Sequence, residues 1–233
     1  MRKTEKKTKS KKNASEKNGS YYGFSYDKLF CIFMIGCFLG VVFESIYFLF
    51  AHHEFKIRAS VIYGPFNLVY GLGALLMTVS LYWLRNRNVF LIFIGSTVIG
   101  GAFEYLCSLL QELVFGTVSW DYSDKLISLN GRTSLLHSLV WGVLGLVWIK
   151  WVYPWLSSLI SRVPHKFLRI ISVFMSIFMS INIFLSFSAV RRQSERREGI
   201  PAANEFDRFF DRHYSDEYLD DVYLSTIVIE REN

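Results

Sequence analysis

Between residues 29 and 190 the chain has very little charge: only 16 of its 46 Asp, Glu, Lys and Arg side chains fall in those 162 residues. A soluble domain needs far more charged surface than that, so an ordinary water-soluble globule is excluded. Cysteine is scarce as well. Cys31, Cys37 and Cys107 all lie inside apolar stretches, where a thiol serves as a small hydrophobe, and a secreted disulfide scaffold is excluded with it. Three catalytic signatures are missing. There is no G-x-x-x-x-G-K-[ST] loop to cradle ATP phosphates, no H-E-x-x-H zinc site and no G-x-S-x-G nucleophile turn. The chain is therefore expected not to be an enzyme, and no cofactor or metal is assigned.

What the sequence does have is length of apolar run, with 52% of residues in the AVILMFWYC set. A helix rises about 1.5 Å per residue, so roughly 20 apolar residues cross about 30 Å of hydrocarbon. Five stretches qualify: Leu29 to Ala51, Val61 to Leu84, Val89 to Phe115, Thr133 to Tyr153, where Pro154 closes the run, and Phe167 to Val190. The expected fold class is an all-α polytopic membrane bundle of about five spans in the lipid bilayer of the cell. Its domain (29–190) lies between a disordered basic tail (1–28) and an acidic, solvated tail (191–233).

The two tails differ in sign. Residues 1–28 carry a local +6 and residues 191–233 a local −4. The lysine-rich end reads as a cytoplasmic arm near anionic lipid; no aromatic or groove-reading element accompanies it, so nucleic acid is not an expected partner. A cleaved signal peptide is not expected, since the following apolar run is too long for an h-region. Lys and Arg counted on alternate sides give 14 on the N-terminal side and eight on the other, which places the N-terminus in the cytoplasm. Arg191, Arg192, Arg196 and Arg197 at the end of the fifth span pull the opposite way.

Aligning the chain with itself reveals a repeat. Gly40-Val-Val-Phe43-Glu44 matches Gly100-Gly-Ala-Phe103-Glu104. Arg58-Ala-Ser60 matches Arg132-Thr-Ser134, and Tyr70-Gly71 matches Trp141-Gly142. The first four spans thus read as two copies of one helical hairpin, in a parallel repeat of a kind found in some transporters. A glutamate within a bilayer costs several kcal/mol unless it pairs, faces the bundle or is protonated. Each copy offers an arginine for the purpose, Arg58 for Glu44 and Arg132 for Glu104. Two readings stand side by side: a pair of charge-satisfied clamps, or a polar core of Glu44, Glu104, Arg58 and Arg132 lining a path for a cation, proton or solute. Ser108, Gln111 and Glu112 extend the face of Glu104. His137 is a helix–helix donor or a proton relay, and His52-His53 is an interfacial pair without a third metal ligand. The C-terminal acids lack the order of an EF-hand.

The residues Gly64-Pro65 before Tyr70-Gly71, Phe103-Glu104-Tyr105 with Ser108 and Glu112, Trp120-Asp121-Tyr122-Ser123, Asn130-Gly131-Arg132, Trp141-Gly142 and Pro154 resemble a bacterial membrane family, ABC-transporter type IV. The resemblance spans about residues 29 to 155. It departs at Ile57-Arg58-Ala59, where the family has Asn-Arg-Gly, and at Leu68, where it has a second proline. It implies a permease-like component working with a separate ATPase subunit, with Glu104, Asp121, Arg132 and Trp141 as signature positions. A homo-oligomer is left open. Two other classes also stay open. One is a membrane scaffold or sensor docking through the Trp120 loop and the acidic tail. The other is a membrane enzyme in which Glu104, His137 and Asp121 do acid–base chemistry on a lipid-linked substrate.

Overall fold

The computed structural model describes residues 24–223 and 227–228. Most of the expected basic tail, up to residue 23, lies outside the described residues, as does the side chain of His52. Helix α1 (Tyr26–His52) begins at the Ser25 cap and ends where His53 turns left-handed. It is followed by α2 (Leu68–Leu81), with a 3-10 turn over Tyr82–Leu84, and by α3 (Val89–Phe115). Two-residue strands β1 (Thr117–Val118), β2 (Ser128–Leu129) and β3 (Thr133–Ser134) mark the long loop after α3. Helices α4 (Leu135–Val147), α5 (Tyr153–Arg162) and α6 (His165–Arg197) complete the apolar bundle. A polar end piece holds α7 (Glu205–His213), α8 (Asp216–Val222) and β4 (Ile227–Val228). The fold is an all-α bundle, and four of its helical stretches are long and apolar enough to cross a membrane: α1, α3, α4 joined to α5, and α6.

The second expected span is the exception. Its helical part, Leu68–Leu84, has 17 residues, about 25 Å at 1.5 Å per residue and short of the hydrocarbon thickness. Residues 59–67 are a loop instead of helix, because Gly64 adopts φ +83° and Asn67 caps α2 through its own side chain. Non-helical backbone among apolar spans must find partners. Here α6 supplies them: Ser186 Oγ accepts from the Ile62 amide at 3.0 Å, and Asn182 accepts from the Tyr63 amide at 3.1 Å while donating to the Tyr63 carbonyl at 2.7 Å. The Asn67 amide donates to the Cys37 carbonyl at 3.0 Å.

The fourth span differs at both ends. Thr133 and Ser134 are strand, and Pro154 does not stop the helix: a π-helical turn over Trp148–Val152 carries it on to Arg162. A proline has no N–H to give, and widening one turn lets the chain pass it without losing the helix. The fifth span continues beyond Val190 to Arg197, so the expected domain boundary falls inside α6.

The helices pack most closely as two pairs, α1 with α2 and α3 with α4. At Gly40 an added Cβ would collide with Tyr70, and at Gly100 it would collide with Trp141. Gly71 lies against Cys37 and Phe33, and Gly142 lies against Thr97 and Phe93. Each of these glycine contacts thus has a counterpart 60 residues on in the odd helix and 71 on in the even one. Met77, Leu81, Ile92, Trp141 and Ile149 form the core between the pairs. At the other end of the bundle Arg169 holds Asp27 at 3.0 Å and Ser172 donates to the Asp27 carbonyl at 3.4 Å, tying α6 to α1.

The C-terminal residues expected as a solvated acidic face are folded in part against the bundle. Phe210, Tyr214 and Leu219 are buried with Ile62 and Ala189. The arginines that end α6 meet the acids directly. Arg192, only 3% exposed, grips Asp211 with two hydrogen bonds of 2.9 and 3.0 Å, and Arg191 pairs with Asp207 at 3.0 Å. Arg196 reaches Asp211 and Asp216, and Arg197 reaches Asp220 at 2.8 Å. Strand β4 pairs antiparallel with β1.

Candidate functional site

Polar side chains inside a bundle gather where helices separate, and here α1, α2, α3, α4 and α6 part beneath the C-terminal end piece. They enclose a cavity of about 860 Å³, within the roughly 300–1,000 Å³ common for small-molecule sites. Three charged side chains line it: Glu44, Arg58 and Glu104.

Glu44 and Arg58 satisfy each other. Arg58 Nε lies 3.2 Å from the Glu44 carboxylate, and the Tyr70 hydroxyl donates to the other Glu44 oxygen at 2.9 Å. Arg58 also rests over the Phe48 ring, 5.2 Å from its centroid.

Glu104 is served differently. It is 7% exposed, and its partners are neutral: the Thr133 hydroxyl at 2.8 Å, the Tyr122 hydroxyl at 3.3 Å and the indole N–H of Trp141. The expected pair with Arg132 does not form. Arg132 turns instead to Glu112, two turns further along α3, and stacks over Tyr105. The physical reason lies in the tight turn at Asn130-Gly131, where both residues take positive φ (53° and 70°) and the Arg132 amide donates back to Leu129. That hairpin presents Thr133, not Arg132, to Glu104.

Trp120 and Tyr122, from the Trp120-Asp121-Tyr122-Ser123 segment, form part of the cavity wall. Trp120 fixes the loop by donating its indole N–H to the Arg132 carbonyl at 2.8 Å. Tyr122 stacks on His137 with ring centroids 3.6 Å apart. Burial, with the neighbouring Glu104 carboxylate, pushes the Tyr122 phenol far above its ordinary range, so it remains a donor at physiological pH. His137 hydrogen bonds Ser134 at 2.8 Å. Trp141 and Tyr70 complete the inner wall, ring centroids 5.9 Å apart.

Of the residues singled out in sequence, the cavity thus receives Glu44, Arg58, Glu104, Trp120, Tyr122, His137 and Trp141. Arg132, Ser108, Glu112, Asp121 and Asn130 do not line it. Asp121 is held within its own loop by the Ser123 amide and hydroxyl, outside the lining to which Glu104 and His137 belong. Gln111 lines the wall and ties α3 to its loop by accepting from Ser119 at 2.9 Å. Sequence reasoning missed Thr133, Asn182 and Ser186. The last two had a visible signal, a polar pair spaced four apart that includes the one asparagine of the span.

Residues 31–187 match a protein family described as "Putative ABC-transporter type IV". The match runs beyond the motif-bearing stretch and takes in most of α6. Neither the curated proteins nor the solved structures contain a match to the chain.

Proposed function

Because the chain belongs to the ABC-transporter type IV family, we propose that it is the membrane-embedded, permease-like component of a transporter. In this reading the cavity beneath the end piece holds the solute or ion in transit. With no ATP-binding loop of its own, the chain relies on a separate ATPase subunit for the energy. The observation that carries the reading is a cavity of about 860 Å³ with ionisable side chains, built among helices long enough to span a bilayer. The matched glycine contacts of the two helix pairs support reading them as copies of one hairpin, with the cavity between the copies. The basic N-terminus and the end of the bundle bearing Arg85 and Lys150 then face the cytoplasm, where an ATPase would dock, and the C-terminal end piece faces outward.

The test uses membrane vesicles from the cells that naturally make the protein, which retain the ATPase subunit working with it, enriched in the full chain and given ATP and a metabolite mixture, with the accumulated solutes identified by mass. Glu104→Gln is expected to abolish the accumulation while the protein still inserts in normal amount. Undiminished accumulation in that variant overturns the transport role of Glu104, and absence of any accumulation by the wild type overturns the permease reading.

A further inference from the structure

The charges lining the cavity do not cancel. Glu44 and Arg58 neutralise each other, which leaves Glu104 as the acid in the lining that has no basic partner among the described residues. Among the described residues no Lys, Arg or His is paired with it, and its hydrogen bonds come from neutral donors, the Thr133 and Tyr122 hydroxyls and the Trp141 indole N–H. Donors of that kind stabilise the ionised carboxylate without neutralising it. In surroundings of low dielectric such a charge attracts a cation far more strongly than it would in water.

The walls decide which cation. A small inorganic ion needs several oxygen ligands close together, and the rings of Tyr70, Trp141 and Tyr122 beside Glu104 do not supply them. Aromatic faces carry negative charge density, attract ammonium-like groups within about 6 Å, and bury an apolar body at the same time. A space of about 860 Å³ is that of a sizeable organic molecule, much larger than a bare ion. We propose that the cavity binds an organic monocation, its positive centre against the Glu104 carboxylate and its apolar part against Tyr70 and Trp141. This rests on reading the cavity as the solute site and names the class of solute.

The experiment is equilibrium binding of radiolabelled tetraphenylphosphonium to the full chain in nanodiscs of zwitterionic lipid, corrected with empty discs. Tetraphenylborate, of nearly the same shape and opposite charge, is the competitor. The expected result is saturable binding that tetraphenylborate does not displace. Glu104→Gln should weaken it by about tenfold or more through loss of the charge. Glu104→Asp, which keeps the charge, retains it, and so does Asp124→Asn, which removes an exposed loop carboxylate. Because Glu104→Asp reports on charge and not merely on folding, a misfolded Gln variant does not decide the matter. Equal binding in correctly folded Glu104→Gln, or loss in Glu104→Asp with normal thermal stability, overturns the proposal, as does displacement by tetraphenylborate. Glu104-dependent binding without accumulation in vesicles supports the cation site and overturns the permease. Accumulation of a solute without such binding does the reverse.

Discussion

The hairpins α1–α2 and α3–α4 each carry a Gly-x-x-Phe-Glu run and an Arg-x-Ser in the connection, and end in different electrostatic states. In the first, Arg58 stands 3.2 Å from Glu44 and the acid is matched. In the second, the corresponding arginine has gone to Glu112, and Glu104 is left to neutral donors, two hydroxyls and the Trp141 indole. The difference comes from the connections. Ser60 to Asn67 is a loop with Gly64 at positive φ, whereas Ser134 leads directly into α4 from a β-turn hairpin. One hairpin is a clamp and the other offers an unmatched carboxylate to whatever fills the cavity. The largest effect that can break this contrast is functional: Glu104→Gln should abolish solute accumulation, while Glu44→Gln, which leaves Arg58 a hydrogen-bonding amide, should reduce it only severalfold. Equal loss in the two variants, measured in the same vesicles, would erase the distinction.

The next effect tests what the hairpins share. Gly40→Ala and Gly100→Ala each drive a Cβ into the first atoms of a ring side chain, Tyr70 or Trp141, which cannot swing away without moving the helices. Overpacking of that kind costs about 1–3 kcal/mol. Thermal unfolding in detergent should show similar losses for both, and a loss confined to one would end the correspondence between the pairs. A smaller effect separates them again. Arg58→Ala strands Glu44, but the two side chains are 22% and 26% exposed. The cost should then be about 1–2 kcal/mol, below the roughly 3–5 of a fully buried pair. Adding Glu44→Gln should recover most of it, the sign of a direct coupling in a double-mutant cycle.

Much of this was legible in the sequence because lipid imposes simple rules: the third span lies at Val89–Phe115 in sequence and structure alike, and its apolar run leaves no other reading. The Glu44–Arg58 pair followed from an acid and a base facing each other across one connection. What sequence did not show depended on backbone geometry that composition does not encode. The π turn that carries the helix past Pro154, the left-handed Asn130-Gly131 turn that aims Arg132 away from Glu104, and the loop at 59–67 are all choices among local conformations, settled by neighbours. That loop is the clearest case. Its stretch is apolar enough to be read as helix, and distant partners, Asn182 and Ser186 on α6 and the Cys37 carbonyl on α1, satisfy its open backbone. The acidic tail misled for a similar reason, since its charges find partners on α6 that no local pattern announces.

The end piece touches the two hairpins unequally, and its release is the mildest way to tell them apart. Against the first it buries Phe210, Tyr214 and Leu219 around Ile62, with the Tyr63 and Tyr214 hydroxyls 2.9 Å apart; against the second it adds the short pairing of β4 with β1. The clasp that holds it centres on Asp211, whose carboxyl is kept below its ordinary range chiefly by the hydrogen bonds from Arg192 and further by Arg196. A carboxylate depressed in the folded state contributes stability above its unfolded pKa of about 3.9 and loses it as pH falls through the lower folded value. Hydrogen exchange over residues 205–222 should therefore stay slow from neutral pH to about 4 and quicken below it. Asp211→Asn should quicken it at neutral pH by an amount equivalent to about 1 kcal/mol, because the side chain is 29% exposed and partly screened. That variant should also flatten the acid response. If the clasp governs the cap, amides of the 59–67 loop should exchange faster in Asp211→Asn, while those of α3 and the β2–β3 hairpin change little; equal loosening on both sides would mean that the short strand pairing holds as firmly as the buried rings.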